Sequence, residues 1–81
     1  EVLIHHDRVL ALVVDPAGPA APLVGRMLRD VRLPSGVLVA LVHRAGRIVV
    51  PGGATVLEAG DRLTILGEPE GIRVLAETYR S

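Results

Sequence analysis

The sequence predicts a small two-layer α/β (α+β) domain whose elements run strand, short helix, three mainly antiparallel strands and C-terminal helix. Three short runs rich in Val, Ile or Leu, at residues 37–42, 48–50 and 63–66, are each bounded by Gly, Pro or Asp, which is typical of strands. Apolar residues at helical spacing follow over residues 72–79. We expect the 81 residues to form one domain, 1–81, with residues 1–7 as an N-terminal extension or linker.

Composition limits both the core and the classes of partner. Of all residues, 49% are hydrophobic but only 1% are aromatic, so the core must be aliphatic. Nine acidic residues balance nine basic ones, which argues against an extended nucleic-acid surface. The chain has no Cys, and hence neither a disulfide framework nor a thiolate zinc site. No apolar run approaches the roughly 20 residues of a membrane-spanning helix, and the missing initial Met suggests a piece of a longer protein.

The first half of the chain predicts one strand, one connection and one short helix. Residues 8–14 are apolar on both faces, so we expect either an inner strand of the sheet or a strand that is covered on both sides. Residues 15–22 hold three of the six prolines and form a surface connection. Residues 23–30 predict a short helix with a first-turn proline, because four apolar side chains share one face: Leu23, Val24, Met27 and Leu28.

A hairpin and a fourth strand follow. Residues 37–44 alternate as a strand, Ala45-Gly46 reverses the chain, and residues 47–50 return. Because Ala tolerates positive φ poorly, we expect a type I turn with Gly46 as the bulge residue rather than a primed turn. Gly60-Asp61 marks a second tight turn before the strand at residues 62–67.

The last element is predicted to be an amphipathic helix. Pro69 suits its first turn, and the neighbouring carboxylates of Glu68 and Glu70 suit its positive end. Arg73 and Glu77 are spaced for an i,i+4 ion pair. The core-facing stripe comprises Ile72, Leu75, Ala76 and Tyr79.

Several segments in this order resemble one known family. An apolar strand ends in a basic residue at Arg44, Gly46-Arg47 opens the returning strand that stops at Pro51, and Leu66-Gly67-Glu68 leads into the closing helix. Residues 55–63, TVLEAGDRL, resemble the signature T-x-L-x-x-G-D-x-L. Across residues 8–80 the chain is similar to the C-terminal domain of regulators of potassium conductance (RCK), also called the TrkA C-terminal domain.

The resemblance implies a cytoplasmic regulatory domain that forms a homodimer and binds small regulatory ligands. Such domains are attached to or associated with potassium channels, cation/proton antiporters and other transporters. Some members bind cyclic di-AMP at the dimer interface through an Asp-x-Arg element followed by Asn. Asp30-Val31-Arg32 offers the first part, but Val37 or Leu38 stands where the Asn would be. The regulatory role and a nucleotide-like ligand are therefore expected, whereas that particular ligand does not carry over.

Four residues are candidates for ligand binding: His43, Arg44, Arg47 and Asp61. The first three surround the hairpin and could meet an anionic ligand or the partner subunit; the alternative for His43 is a strand-end side chain that faces water. Asp61 has a structural alternative as well, because a carboxylate in a turn can accept backbone N–H groups. His5-His6 is expected to be solvated, since adjacent side chains on an extended segment point to opposite faces.

The sequence predicts no enzyme, no metal site and no cofactor. It shows no nucleophile motif, and Gly52-Gly53 lacks the continuation of a phosphate loop. The residues themselves also favour dimerisation. Two short helices cover only about one face of a sheet whose strands are apolar on both sides, so the second face needs a cover, which a two-fold partner can provide. Two rival functions remain open: a structural dimerisation module without a ligand, and the sensor domain of a transcription regulator.

Overall fold

The computed structural model describes residues 2–80, which form an antiparallel sheet with one α-helix packed against it. The sheet has five strands in the spatial order β1-β2-β5-β3-β4. Its strands and the helix are β1 Val2–His5, β2 Val9–Val13, β3 Val37–Arg44, β4 Arg47–Val49, β5 Arg62–Gly67 and α1 Pro69–Thr78. The predicted α+β class, the two layers and the C-terminal helix are confirmed.

The core lies between α1 and one face of the sheet. Alternate residues of the central strands point to that face and are buried, among them Leu12 on β2 and Leu63 on β5, which are opposite each other in the register. From the helix, Ile72 and Leu75 fill the same layer. The predicted stripe is thus confirmed, as is the Arg73–Glu77 pair, with Nη1 of Arg73 2.9 Å from Oε1 of Glu77.

The predicted helix at residues 23–30 is wrong. The segment contains two 3₁₀ turns, Ala21–Leu23 and Leu28–Asp30, separated by Gly25 at φ 83°. Its internal backbone bonds are i to i−3, such as Arg26 N–H to Leu23 O at 3.1 Å, and the rest of its backbone pairs with residues 53–57: Gly25 N–H donates to Leu57 O at 2.8 Å, and Leu57 N–H donates to Arg26 O at 2.8 Å. Because these tertiary bonds satisfy the backbone, the local helical spacing of apolar residues did not decide the structure.

The predicted type I turn at Ala45-Gly46 is also wrong. Both residues have positive φ, 49° and 76°, and Arg44 is directly opposite Arg47, as in a two-residue primed turn. Primed turns match the right-handed twist of the flanking strands, and this fit outweighs the steric penalty of left-handed Ala. The returning strand ends at Val49, one residue earlier than predicted.

The sequence did not predict a strand within residues 1–7. Val2–His5 forms β1, which pairs antiparallel with β2 at one edge of the sheet, with a register irregularity between Val2 and Ile4. The expectation for residues 1–7 as an extension also includes Glu1, which lies outside the described residues. The sheet therefore has one strand more than expected.

Candidate functional site

The last residue of β3 forms an ion-pair cluster with the turn before β5. Arg44 donates from Nε to Oδ1 of Asp61 at 2.8 Å and from Nη2 to Oδ2 at 2.7 Å. The backbone N–H of Glu58 donates to the same carboxylate at 2.9 Å, and Arg44 Nη2 also donates to Val56 O at 2.8 Å. The structural prediction for Asp61, a carboxylate that accepts a backbone N–H within its turn, is confirmed. These contacts connect the end of β3 to residues 56–61.

Asp61 is ionised in this environment although it is only 1% exposed. Burial acts to raise the pKa of Asp61, but the hydrogen bonds from Arg44 and from the Glu58 N–H outweigh it, so that the pKa lies below its usual value. The same contact raises the pKa of Arg44. Glu58 adds a third charge, 3.0 Å from Nη1 of Arg44. The bidentate pair thus leaves little hydrogen-bonding capacity for a ligand.

The four sequence-predicted candidates do not converge on one point. Arg44 and Asp61 meet on the side of the sheet that carries α1, whereas His43 points to the opposite side, where the register places it opposite Arg62 and Ile48. Arg47 is exposed, opposite Arg44 across the hairpin. Binding of a ligand by these residues stays a prediction, and only His43 and Arg47 are outside the ion-pair cluster.

The structure adds a cleft that sequence reasoning missed, hereafter the edge cleft. β4 pairs with β3 only over Val42 to Arg44, because the chain leaves the sheet after Val49, so the first half of β3 has no strand on this side. The cleft that results has a volume of about 240 Å³. Its walls are Leu28, Arg29, Leu33, Val37, Leu38, Val39, Pro51, Gly52 and Gly53. The one feature of the sequence that indicates this departure from the sheet is Pro51, which lacks an N–H group and suits the end of a strand.

The sheet side opposite α1 is uncovered and is hereafter the open face. The register aligns its residues in three rows across the strands: Val9–Leu66–Leu38 in the first, Ile4–Ala11–Thr64–Leu41 in the middle, and Val13–Arg62–His43–Ile48 in the third. Its Leu and Ile side chains are exposed, from 38% for Leu41 to 56% for Leu38, whereas Val9 and Val13 are half-buried. Leu38 also lines the edge cleft, so the two features are continuous.

Comparison with known proteins agrees with this geometry. The fold matches a solved structure described as "Structure of RCK domain with cda" at a TM-score of 0.73 and 20% identity, over 90% of this chain and 99% of that one. The architecture is therefore that of an RCK domain. The TrkA-C domain model matches residues 6–79, and the chain belongs to the TrkA-C domain family.

Curated relatives place such domains in cation transport. The chain is 41% identical over 51 residues to the Trk system potassium uptake protein TrkA homolog of Archaeoglobus fulgidus, covering 63% of this chain and 12% of that protein. It is 34% identical over 56 residues to the K(+)/H(+) antiporter NhaP2 of Shewanella sp. strain ANA-3, covering 69% and 10%. The chain thus spans about a tenth of the length of these relatives.

Residues 2–80 contain neither a membrane-spanning helix nor a cluster of metal ligands. None of the helices in this part of the chain is long and apolar enough to cross a membrane. Within the same residues, no three His, Cys, Asp or Glu side chains are grouped as metal ligands would be. His5 is an exposed residue at the end of β1, and His6 follows it outside the strand.

Proposed function

We propose that the chain is a non-catalytic, cytoplasmic regulatory domain of a potassium or other cation transport protein, which acts as a homodimer and responds to a small ligand in the edge cleft. The observation that carries the proposal is the continuity of the edge cleft with the open face through Leu38. A ligand that changes the cleft would change the surface on which the second subunit packs. Regulation then needs only different ligand affinities in two dimer arrangements.

The open face supports the homodimer. Its exposed Leu and Ile side chains are apolar surface that a monomer of 81 residues leaves in water at a free-energy cost. Each square ångström of apolar surface removed from water contributes about 25 cal/mol. A second copy offers a surface of the same composition, and a two-fold arrangement covers both faces at once.

The edge cleft supports an organic ligand with an anionic group. Its walls are mainly aliphatic, including Leu28 and Leu33, which suit a flat apolar ring. Arg29 at the wall forms no ion pair with a carboxylate among residues 2–80 and can hold a phosphate through its planar guanidinium. A nucleotide combines both features. The RCK domain of the same fold is described as being "with cda", which agrees with a ligand in this type of domain.

The test is thermal unfolding followed by circular dichroism, with adenine nucleotides, cyclic dinucleotides and nicotinamide dinucleotides added one at a time. A compound at 100 times its Kd stabilises the native state by about 2.7 kcal/mol, which raises the Tm of so small a domain by several degrees. Arg29→Ala should abolish the shift, and Arg47→Ala should preserve it if the ligand occupies the edge cleft. The reverse pattern would assign the ligand to the hairpin instead.

Two rival functions predict different results. A structural dimerisation module predicts a dimer whose Tm no compound changes at millimolar concentration. The sensor domain of a transcription regulator predicts a ligand response but a DNA-binding segment elsewhere in the full-length protein, whereas a transport protein predicts apolar spanning segments there. Sequencing the parent gene distinguishes these two.

A further inference from the structure

The strand β1 is held to the rest of the domain by few contacts. It pairs with β2 alone, in a register that is irregular between Val2 and Ile4. Val2 is half-buried and the other three side chains of the strand are exposed, so β1 contributes no residue to the buried core. The match to the TrkA-C domain model begins at residue 6, after this strand. A short strand with so little buried apolar surface opens locally at a lower free energy than the core strands do.

The backbone of β2 is shared between two neighbouring strands. On the side of β5, the N–H of Val14 donates to Asp61 O at 2.8 Å. Successive residues of a strand direct their backbone groups to opposite edges, so Val9 and Ala11 face β1 instead. The hydrogen bond from His6 N–H to Val9 O, at 2.9 Å, agrees with this assignment. Detachment of β1 would therefore expose a sheet edge along β2.

A cavity of about 150 Å³ lies between β1 and α1. Val2 and His5 line it from β1, and Arg80 lines it just beyond the end of α1. Another wall residue, Arg73, is paired with two carboxylates of α1. Arg80 forms no ion pair with a carboxylate among residues 2–80, and β1 itself carries none. The strand thus leaves part of the space beneath it unfilled and one guanidinium of the wall without a counter-charge.

A regular strand that carries a carboxylate would fit this position better than β1 does. The side chains that β1 directs toward α1 are Val2 and His5, which are opposite Leu12 and Leu10 of β2. These positions are two residues apart on β2 but three apart on β1, and the irregularity accommodates the additional residue. A peptide without that irregularity would present an aliphatic side chain and, two residues later, an acidic one. Its carboxylate could form a charge-assisted hydrogen bond with Arg80.

We infer that the outer edge of β2 is a docking site for an extended peptide of another protein, with the pattern aliphatic-x-acidic, which displaces β1 and pairs its carboxylate with Arg80. Main-chain hydrogen bonds to the sheet edge supply affinity, and the side chains in the cavity supply specificity. Because β1 must leave first, the apparent affinity is reduced by the fraction of molecules in which the edge is free. This edge is opposite to that of β4 and the edge cleft, so the inference depends neither on the ligand nor on the homodimer of the proposed function.

Amide hydrogen exchange of the complete chain tests whether β1 detaches. The N–H of Ala11 faces β1, whereas those of its neighbours Leu10 and Leu12 face β5, so three consecutive amides report on the two edges of one strand. Ala11 should exchange at least about 100-fold faster than either neighbour, because only local opening is needed to expose it. Equally slow exchange of all three amides would mean that β1 leaves only on global unfolding, and would overturn the inference.

Fluorescence anisotropy tests the docking. The probe is a labelled synthetic peptide of residues 1–7 in which Leu3 is omitted and His5→Glu is introduced, and the control peptide has His5→Lys instead. The probe should bind the complete chain at least about tenfold more tightly than the control, as expected for a hydrogen bond between charged groups. Equal binding of the two peptides would overturn the pairing with Arg80.

A disulfide that holds β1 in place tests the position of the site. Ile4 and Ala11 are opposite each other, and the Cα atoms of such a hydrogen-bonded antiparallel pair are about 5.5 Å apart, which suits a disulfide. The oxidised double variant Ile4→Cys/Ala11→Cys should not bind the probe, and reduction should restore binding. Binding to the oxidised form would overturn the site at β2.

The variant Arg80→Glu tests the cation. It should weaken binding of the probe at least about tenfold and strengthen that of the control peptide. Arg47→Glu makes the same change of charge at the opposite edge of the sheet and should alter neither. If neither peptide binds at millimolar concentration although Ala11 exchanges fast, β1 detaches but the peptide site is overturned. Concentration-dependent association of the chain that the disulfide prevents would make β1 of a second copy the occupant, and would overturn the acidic partner.

Discussion

Replacing Asp61 by Asn removes one charge from the ion-pair cluster while keeping the side-chain volume. The carboxylate accepts two hydrogen bonds from Arg44 and one from the Glu58 N–H, and it is 1% exposed. An Asn side chain offers one acceptor in place of two, so its amide donor must face another donor. The substitution therefore leaves at least one buried group without a partner.

The size of the effect follows from burial. Removing one partner of a fully buried pair costs about 3–5 kcal/mol. The other partner in this cluster keeps 25% of its side chain exposed and retains Val56 O and Glu58 as partners. We therefore expect Asp61→Asn to lower the free energy of unfolding by about 2–3 kcal/mol, which lowers the Tm by roughly 10–20 °C in a domain of this size.

Urea unfolding at neutral pH measures the difference, and Glu58→Gln is the matched control. That carboxylate contacts the same guanidinium at 3.0 Å but is 60% exposed, so its loss should cost less than about 1 kcal/mol. If Asp61→Asn and Glu58→Gln destabilise the domain equally, burial does not determine the strength of the cluster and the expected magnitude is refuted.

The loss of stability in Asp61→Asn should also depend on pH, in a direction that follows from the pKa of Asp61. Because the pKa of Asp61 in the folded state lies below its ordinary value, the carboxylate contributes stability that is fully present above its unfolded pKa, about 3.9, and is lost as pH falls through the folded pKa. The stability gap between the unmodified chain and Asp61→Asn should therefore narrow on acidification below about pH 4. A stability difference that grows below about pH 4 would contradict a lowered pKa of Asp61 in the folded state.

Three further predictions concern packing, turn and surface. Gly71→Ala should destabilise the folded domain by about 1–3 kcal/mol in thermal unfolding, because a Cβ at this position collides with Cγ2 of Val37. The expected sign is opposite to that of an ordinary Gly→Ala substitution inside a helix, which stabilises by about 1 kcal/mol. A variant that is more stable than the unmodified chain would contradict the contact. Ala45→Gly should stabilise by about 0.5–1 kcal/mol, since it relieves a non-glycine residue at φ 49°, and an unchanged urea midpoint would contradict this. Leu66→Ser should leave monomer stability within about 0.5 kcal/mol but weaken the dimer in sedimentation, so equal dimer affinity would exclude this face as the interface.

Strands with a strong local signal were predictable. β3 and β5 begin and end where their apolar runs meet Gly, Pro and charged residues, and both have the predicted bounds. The shorter run in β1 was missed because its pairing with β2, rather than its own composition, makes it a strand. The segment after Pro22 was predicted as a helix because spacing alone cannot show that its backbone would bond to residues 53–57.

The candidate site was predictable only in part. The turn carboxylate of Asp61 was found from Gly-Asp, but its partner Arg44 lies 17 residues away, and nothing in the sequence fixes that distance in space. The edge cleft depends on where β4 leaves β3, so its walls come from three separate segments. Local patterns identify turns and strand ends, whereas clefts form between elements that only the tertiary structure brings together.

The position of β5 has a consequence for how the domain assembles. β5 lies between β2 and β3 and pairs with both, so neither earlier strand has a sheet neighbour on that side until residues 62–67 are inserted. During synthesis, the chain up to the Asp61 turn therefore holds two separate hairpins with unpaired central edges, which are prone to pairing with other chains. Sheet formation must wait for long-range contacts, which slows folding. A nascent chain on a ribosome stalled before β5 cannot form the native sheet, so its unpaired strand edges would be exposed to aggregation or to chaperones.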